Sequence, residues 1–190
     1  MRFSFGLLAG SLALIALSAA PNAAVVPGRS LGNVTLGADA SSLAALGPPS
    51  TSDAAMQKAW VTWYGARPAG GGPRTQLDVY TAPANNDVDH HTVQVVRATS
   101  PWFHVANGLR VGTSLRAIRA AYGALPLVAT YRLATGPRYL YDDARRGIAF
   151  ELDGQASGSR CRALLVHAPG QAGKPVFSMM ATYLGQLPKP

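Results

Sequence analysis

The sequence predicts an α+β fold, in which two tandem helix-plus-antiparallel-meander repeats form one sheet with helices on one face. Three observations predict it: a glycine-flanked motif occurs twice, a short helical pattern follows each copy, and alternating apolar residues follow each helix. The offset is 76 residues between Gly32 and Gly108 and 75 residues between Gly37 and Gly112. A nearly constant offset of this kind indicates duplication.

Each glycine motif is followed by residues that suit the start and end of a short helix. Asp39 and Ser114 are suited to the N-cap position, because their side-chain oxygens can accept hydrogen bonds from amides of the first turn. Gly47 and Gly123 stand where a helix commonly ends in a left-handed residue. We therefore expect one helix between each cap and its glycine.

After each helix the apolar period changes from 3.6 to 2, which predicts strands. Ile148, Phe150 and Leu152 show this alternation clearly. Polar, glycine-rich segments separate the strands, so each repeat is expected to form an antiparallel meander whose apolar face is covered by its helix. The opposite face is then open to solvent or to a partner. The expected strands are 59–64, 75–81, 92–98, 138–141, 147–152 and 161–168.

The first residues of the chain have the pattern of an export signal. Arg2 precedes an apolar run over residues 3–17, and small residues follow it. Cleavage is expected between Pro21 and Val25, and an uncleaved anchor is the alternative. The run is short for a membrane span, which needs about 20 residues, so we expect no transmembrane segment in the mature chain. The expected location is periplasmic or extracellular. The expected divisions are a signal peptide over 1–23, repeats over 29–98 and 105–168, and a C-terminal tail over 169–190.

The chain is basic, with a formal net charge of +8. Its Lys and Arg residues are scattered singly, apart from the pair Arg145–Arg146. Nucleic-acid binding concentrates basic residues on one face, so no nucleic-acid partner is expected. An exported basic protein meets acidic proteins or anionic envelope surfaces instead.

Cys161 is the only cysteine. An intramolecular disulfide and a cysteine-pair zinc site are therefore excluded. Cys161 lies in an apolar stretch, which favours a buried, inert thiol. An intermolecular disulfide is the alternative.

The glycine turn, the short capped helix ending in glycine and the meander containing residues 146–150 (RGIAF) resemble a known architecture. They are similar to the β-lactamase-inhibitor-protein-like fold and to the small outer-membrane protein A (outer-membrane lipoprotein A) group. Residues 107–150 carry most of the likeness. The resemblance implies the fold and not the identity of a partner, because no residue here matches an inhibitory loop.

Catalytic patterns are weak in this sequence. The chain has no Gly-x-Ser-x-Gly elbow. The neighbouring acids Asp142 and Asp143 are expected in a hairpin turn as solvated charges. Glu151 and Asp153 share a strand face, but Asp153 also begins an ordinary turn signal. The sequence therefore favours a protein that is not an enzyme.

One cluster has residue types that bind metals. Residues 87–91 (DVDHH) combine carboxylates with imidazoles. Adjacent histidines point to opposite sides of an extended chain, so a polar loop is the interpretation and a zinc site the alternative. We assign no metal ligand and no cofactor.

Aromatic residues on the predicted strands are the candidate binding residues. Exposed Tyr and Trp side chains on a rigid sheet are typical of protein-binding hot spots. The alternative is that these rings belong to the core, because aromatic residues favour strands in any case. The candidate partner-binding residues are Trp60, Tyr64, Tyr80, Tyr139 and Tyr141.

These observations together predict an exported, non-catalytic protein-binding module, either inhibitor-like or envelope-associated. An envelope structural or assembly accessory protein is the alternative, and a small hydrolase is a third interpretation. The C-terminal tail, residues 169–190, bears on the choice. Its apolar residues would cover the candidate aromatic surface if the tail crossed the open face.

Overall fold

The computed structural model describes residues 22–55, 58–84, 87–170 and 174–187. The predicted signal peptide, residues 1–23, therefore lies almost entirely outside the described residues. In the part that is described, the fold is mostly β, with twelve strands in two sheets and three short helices.

The larger sheet is antiparallel throughout and has eight strands. Its strands that follow one another in the chain lie side by side, except at the centre of the sheet. There the fourth of the eight strands, counted along the chain, pairs with the eighth. From one edge to the other, the order is β4 (Thr51–Ala55), β5 (Lys58–Tyr64), β6 (Gln76–Ala84), β7 (Asp87–Ala98), β12 (Cys161–His167), β11 (Ile148–Leu152), β10 (Gly136–Asp143) and β9 (Leu127–Leu133).

The smaller sheet has four very short strands in the order β3-β2-β1-β8. Its strands are antiparallel apart from β1 and β8, which run parallel. Each strand contributes one buried aliphatic side chain to the core. The four strands are β1 (Ala24–Val26), β2 (Ser30–Leu31), β3 (Val34–Thr35) and β8 (His104–Val105).

Two helices cover one face of the large sheet. They are a 3₁₀ helix, Ala40–Leu46, and α1, Leu115–Tyr122. The side chain of Asp39 caps the first and that of Ser114 caps the second, each by accepting a hydrogen bond from a first-turn amide. These contacts confirm the two predicted N-caps.

The core beneath these helices is aliphatic and aromatic. Leu115 and Ile118 of α1 are fully buried, and they belong to the same cluster as Val96, Ile148 and Phe150 of the sheet. Alternate positions of the strands thus divide between two cores, one on each face, except where a register shift in β7 or β12 interrupts the alternation.

The opposite face of the large sheet is also covered. Helix α2, Lys174–Gln186, places Phe177, Met180 and Tyr183 against this face. The sheet residues beneath the helix include Trp60 of β5, Tyr80 of β6, Val95 of β7, Leu140 of β10 and Leu165 of β12.

The predicted fold class, α+β repeats with helices on one face, is therefore wrong. Helix α2 covers the second face, a second sheet is present, and each meander has a fourth strand, β4 or β9. Those two strands form the edges of the sheet. The sequence TSDAA of β4 lacks alternation, because an edge strand buries little and its sequence is weakly constrained. The boundaries 29–98 and 105–168 remain predictions.

Candidate functional site

Three of the five predicted binding residues are core residues. Trp60 is 5% exposed and Tyr80 is 2% exposed. The ring of Trp60 packs beside that of Tyr80 and stacks on that of Tyr183 of α2, and all three rings belong to the core beneath this helix. Tyr141 is 3% exposed and lies on the other face, in the core beneath α1. In this arrangement these three rings offer no free surface to a partner.

The other two residues are partly exposed but do not complete a patch. The ring of Tyr64 lies under the guanidinium of Arg74, at 5.1 Å from the ring centroid. Tyr139 packs on the margin of the core beneath α1. The expected open aromatic face is therefore absent, because the apolar side chains of α2 exclude water from the middle of it.

The large sheet instead carries a buried network of charged side chains, centred on Arg97 of β7. Its Nε and Nη2 donate to the two carboxylate oxygens of Glu151, at 2.8 and 3.1 Å. Its Nη1 donates to Oδ2 of Asp78, at 2.6 Å. The side chains of Arg97, Asp78 and Glu151 are 3%, 0% and 0% exposed. Such a planar, two-point pairing is the strongest form of an arginine–carboxylate contact.

A hydroxyl donor and a second cation also lie beside Glu151. The hydroxyl of Tyr131 donates to Oε2 at 2.7 Å, and Nε of Arg138 lies 3.0 Å from Oε1 in a second ion pair. Nη2 of Arg138 also donates to the hydroxyl of Thr135, at 2.5 Å. The carboxylate of Glu151 thus accepts hydrogen bonds from Arg97 and Tyr131 and lies in an ion pair with Arg138.

The network continues from Asp78 to the C-terminal helix. Oδ1 of Asp78 accepts hydrogen bonds from the hydroxyl of Thr62, at 2.5 Å, and from the side-chain amide of Gln76, at 2.7 Å. The oxygen of Thr62 lies 2.8 Å from the hydroxyl of Tyr183. Since Thr62 has one hydroxyl proton and uses it on Asp78, Tyr183 is the donor in this pair.

The register of the sheet brings these residues together. Asp78 and Arg97 are directly opposite one another on β6 and β7. Glu151 is opposite Ala163 on β12, and both side chains point to the face that α2 covers. The sequence pattern indicated Glu151 only as half of a carboxylate pair with Asp153. The sequence did contain one relevant signal, a single glutamate in an otherwise apolar strand. A buried carboxylate of this kind needs a cationic partner.

The electrostatics of the network keep Glu151 ionised. Burial alone would raise the pKa of Glu151, but the charge and hydrogen bonds of Arg97 outweigh it, so the pKa of Glu151 is lowered. Burial would lower the pKa of Arg97, and Glu151 and Asp78 raise it instead. Burial and the neighbouring Glu151 charge raise the pKa of Tyr131 well above its ordinary value. The tyrosine therefore stays a neutral donor.

The network forms the floor of a cleft of about 430 Å³ at one end of the strands. We call it the strand-end cleft. Its lining comes from the start of β6, β10 and β12, the end of β7, β9 and β11, and the loops beyond them. The polar side chains that define it are Arg74, Gln76, Arg97, Arg138, Glu151 and Arg162.

The rim of the strand-end cleft carries more exposed charges. Nε and Nη2 of Arg162 both donate to Oδ2 of Asp153, at 2.9 and 2.6 Å. Burial works to raise the pKa of Asp153, but the backbone amide of Arg160 and the side chain of Arg162 lower it. Glu151 and Asp153, the predicted carboxylate pair, are thus both held as anions.

A second buried ion pair lies at the opposite end of the strands. Nε2 of His167 is 2.9 Å from Oδ1 of Asp142, and its Nδ1 is 3.0 Å from the carbonyl oxygen of Ala168. The expectation that Asp142 is a solvated turn residue is wrong, because His167 pairs with it in the core. Its neighbour Asp143 is the last residue of β10, and its carboxylate accepts from the amide of Arg146 in the turn that follows.

Residues 87–91 belong to β7 and not to a loop. In that segment His90 Nδ1 lies 3.0 Å from Asp87 Oδ2, and both side chains are exposed. Across the described ranges, no group of three or more His, Cys, Asp or Glu residues is arranged to hold a metal ion. Within the same ranges, none of the helices combines the length and the apolar character that crossing a membrane requires.

Cys161 is buried at the start of β12, on the face beneath α1. Its thiol donates to the carbonyl oxygen of Ala163, at 3.2 Å. Burial, with a smaller contribution from Glu151, raises the pKa of this thiol. The expected buried thiol is confirmed.

Solved structures with weak similarity to this chain include the following two. A cysteine-rich secretory protein of Staphylococcus aureus aligns at 12% identity with a TM-score of 0.42, over 77% of this chain and 49% of that one. The Escherichia coli protein YfeY aligns at 8% identity with a TM-score of 0.38, over 77% of this chain and 99% of that one. The chain thus spans about half the length of the staphylococcal protein. No protein-family model matches the sequence, and no curated protein matches it.

Proposed function

We propose that the protein is a non-catalytic binding module for a protein partner, and that the strand-end cleft is its recognition surface. The observation that carries this proposal is the rigid floor of the cleft. There Arg97 and Arg138 are paired with Glu151 and Asp78 before any ligand arrives. Charged groups held in place in this way cost little further ordering when a ligand binds.

The pKa values of Glu151 and Asp153, the two acids that line the cleft, favour binding over acid–base catalysis. Hydrolysis by a carboxylate pair needs one acid with a raised pKa and one with a lowered pKa. The pKa values of Glu151 and Asp153 are both lowered. These acids serve to hold the arginines in position.

Export remains part of the proposal. The pattern of residues 1–23 supports a signal peptide, and we expect the mature chain to begin between Pro21 and Val25. N-terminal sequencing of the protein recovered from cell fractions tests this part. A cytoplasmic protein that retains Met1 would contradict it.

Site-directed photocrosslinking in cells tests the binding function. A photoreactive phenylalanine analogue at position 73 replaces Pro73, an exposed residue that lines the cleft. The matched control carries it at position 145, where Arg145 is exposed in the turn at the other end of the strands. We expect a discrete protein adduct from position 73 alone. Equal adducts at both positions, or none at either, would contradict a binding role for the cleft.

A further inference from the structure

The strand-end cleft contains more positive than negative charge. Its lining includes the guanidinium groups of four arginines and the carboxylates of Glu151 and Asp153. A third carboxylate, that of Asp78, accepts a hydrogen bond from Arg97 in the floor of the cleft. Four cations against three anions leave one positive charge in excess. The four arginines are Arg74, Arg97, Arg138 and Arg162.

Several guanidinium protons are directed to no acceptor among the described residues. Each guanidinium has five N–H donors. Arg74 donates Nε to the carbonyl of Gly65, and its two Nη groups make no hydrogen bond in the described structure. Nη1 of Arg162 also stays without an acceptor there, because Asp153 takes Nε and Nη2. The cleft therefore has donors available for an incoming anion.

An apolar pocket adjoins the cleft. It has a volume of about 210 Å³, and Thr75 and Gln76 line both spaces. The remaining walls of the pocket include the side chains of Trp63, Leu77 and Phe103. A ligand that fills both spaces needs an anionic group beside an apolar one.

We propose that the strand-end cleft binds an acidic polypeptide segment, with a Glu or Asp carboxylate between Arg74 and Arg162 and a neighbouring apolar side chain in the pocket walled by Trp63 and Phe103. This inference rests on the proposed binding function and names the chemistry of the partner. Charge complementarity selects the carboxylate, because one bound anion neutralises the excess charge. The apolar pocket selects a polypeptide over a small inorganic anion.

Fluorescence anisotropy with the full-length mature protein tests the proposal. The probe is a dye-labelled, end-blocked heptapeptide of glycines with one glutamate and one phenylalanine, separated by a glycine. Replacing its glutamate by glutamine is expected to weaken binding about tenfold, which is the effect of one charge-assisted contact. Replacing its phenylalanine by glycine is expected to weaken binding by about the same factor, because the buried apolar side chain is lost. Equal affinity for the glutamate and glutamine peptides would overturn the proposal.

Protein variants locate the contact. Arg74→Gln and Arg162→Gln are expected to weaken binding of the glutamate peptide about tenfold each. Arg145→Gln removes the same charge at the opposite end of the strands and is expected to leave the affinity unchanged. A loss with Arg145→Gln as large as with the cleft variants would show non-specific attraction to a basic protein and overturn the proposal.

A third arm distinguishes an anionic membrane surface from a polypeptide. If phosphatidylglycerol vesicles bind through Arg74 and Arg162 while the peptides do not, the polypeptide proposal is overturned. If no peptide binds but the crosslink at position 73 still forms, the acidic-segment inference fails and the binding function stands. If the crosslink is absent as well, both fail.

Discussion

The carboxylate of Glu151 accepts two hydrogen bonds from the guanidinium of Arg97, although a complete strand lies between the two residues. Arg97 is on β7 and Glu151 on β11, and β12 separates them. Ala163 of β12 is the partner of Glu151 in the register and is fully buried on the same face. Since the partner of Arg97 on β12 is Leu165, two residues further along, we infer that the small side chain of Ala163 leaves the space in which Arg97 and Glu151 meet.

This relationship predicts the effect of a larger residue at position 163. In Ala163→Leu, the added side chain occupies the path of Arg97 and separates the guanidinium from Glu151. We expect the free energy of unfolding to fall by about 3 kcal/mol or more, since overpacking and the loss of a buried ion pair both destabilise. Urea denaturation measures it. Ala121→Leu, on the exposed side of α1, is the control and is expected to change stability little; an equal loss in both variants would contradict the prediction.

A double-mutant cycle tests the coupling between Arg97 and Glu151. Arg97→Met and Glu151→Gln are each expected to lower the free energy of unfolding by about 3 kcal/mol, because each breaks a buried ion pair and leaves the partner with a single remaining counter-charge, Arg138 for Glu151 or Asp78 for Arg97. The double variant is expected to be more stable than the sum of the two losses predicts. Additive losses in equilibrium denaturation would show that the two residues act independently.

Helix α2 is expected to be essential for stability. Phe177 packs between His167 and the apolar residues of the sheet and is 1% exposed. Phe177→Ala should lower the free energy of unfolding by about 3–5 kcal/mol, because it leaves a cavity. Ser178→Ala, at the next and exposed position, is the control. Thermal melting compares the two, and a small shift with Phe177→Ala would show that α2 contributes little to the core.

The pair of His167 and Asp142 predicts a dependence of stability on pH. Burial opposes protonation of His167, but the hydrogen bond and charge of Asp142 outweigh it and raise the pKa of the imidazole. Both ring nitrogens face acceptor oxygens, so the folded protein favours the doubly protonated ring.

A group with a raised folded pKa stabilises fully below its unfolded pKa, about 6.5 for histidine, and loses that contribution as pH rises through the folded value. Urea denaturation should therefore show His167 stabilising the wild type at pH 6 and less so at pH 8. In His167→Gln this decrease should be absent. Parallel stability profiles for the two proteins would contradict it.

Cys161 is expected to resist thiol reagents in the folded protein. Burial removes access to the sulfur and raises the pKa of the thiol, so little thiolate forms. A colorimetric thiol assay should detect one thiol per chain in denaturant and almost none without it. Rapid labelling of the native protein, or a disulfide-linked dimer on a non-reducing gel, would contradict the buried position.

Several local features could be predicted from the sequence because short-range chemistry determines them. Asp39 and Ser114 cap helices through amides only two or three residues away. The alternation of Ile148, Phe150 and Leu152 correctly predicts a strand, although both of its faces, and not one, are buried. Such features depend on neighbours along the chain, so a single sequence carries enough information for them.

The assignment of faces could not be predicted in this way. Alternation shows that Trp60 and Tyr80 share a side of the sheet, but not that α2, which begins about a hundred residues later, covers that side. The edge strands β4 and β9 were not predicted from the sequence, for a related reason. Their sequences need only satisfy one neighbour, so their pattern is weak.

The sequence by itself determined the caps, the glycine turns, most of the strands and the position of Cys161 in an apolar strand. Only the tertiary structure decided that the aromatic face is closed and that the charged residues converge at one end of the sheet. The physical reason is that Asp78, Arg97 and Glu151 are far apart in the chain and meet only through strand register. Turns and alternation can set the register within each run of consecutive strands, but no turn joins β7 to β12, so their pairing depends on the packing of the whole sheet.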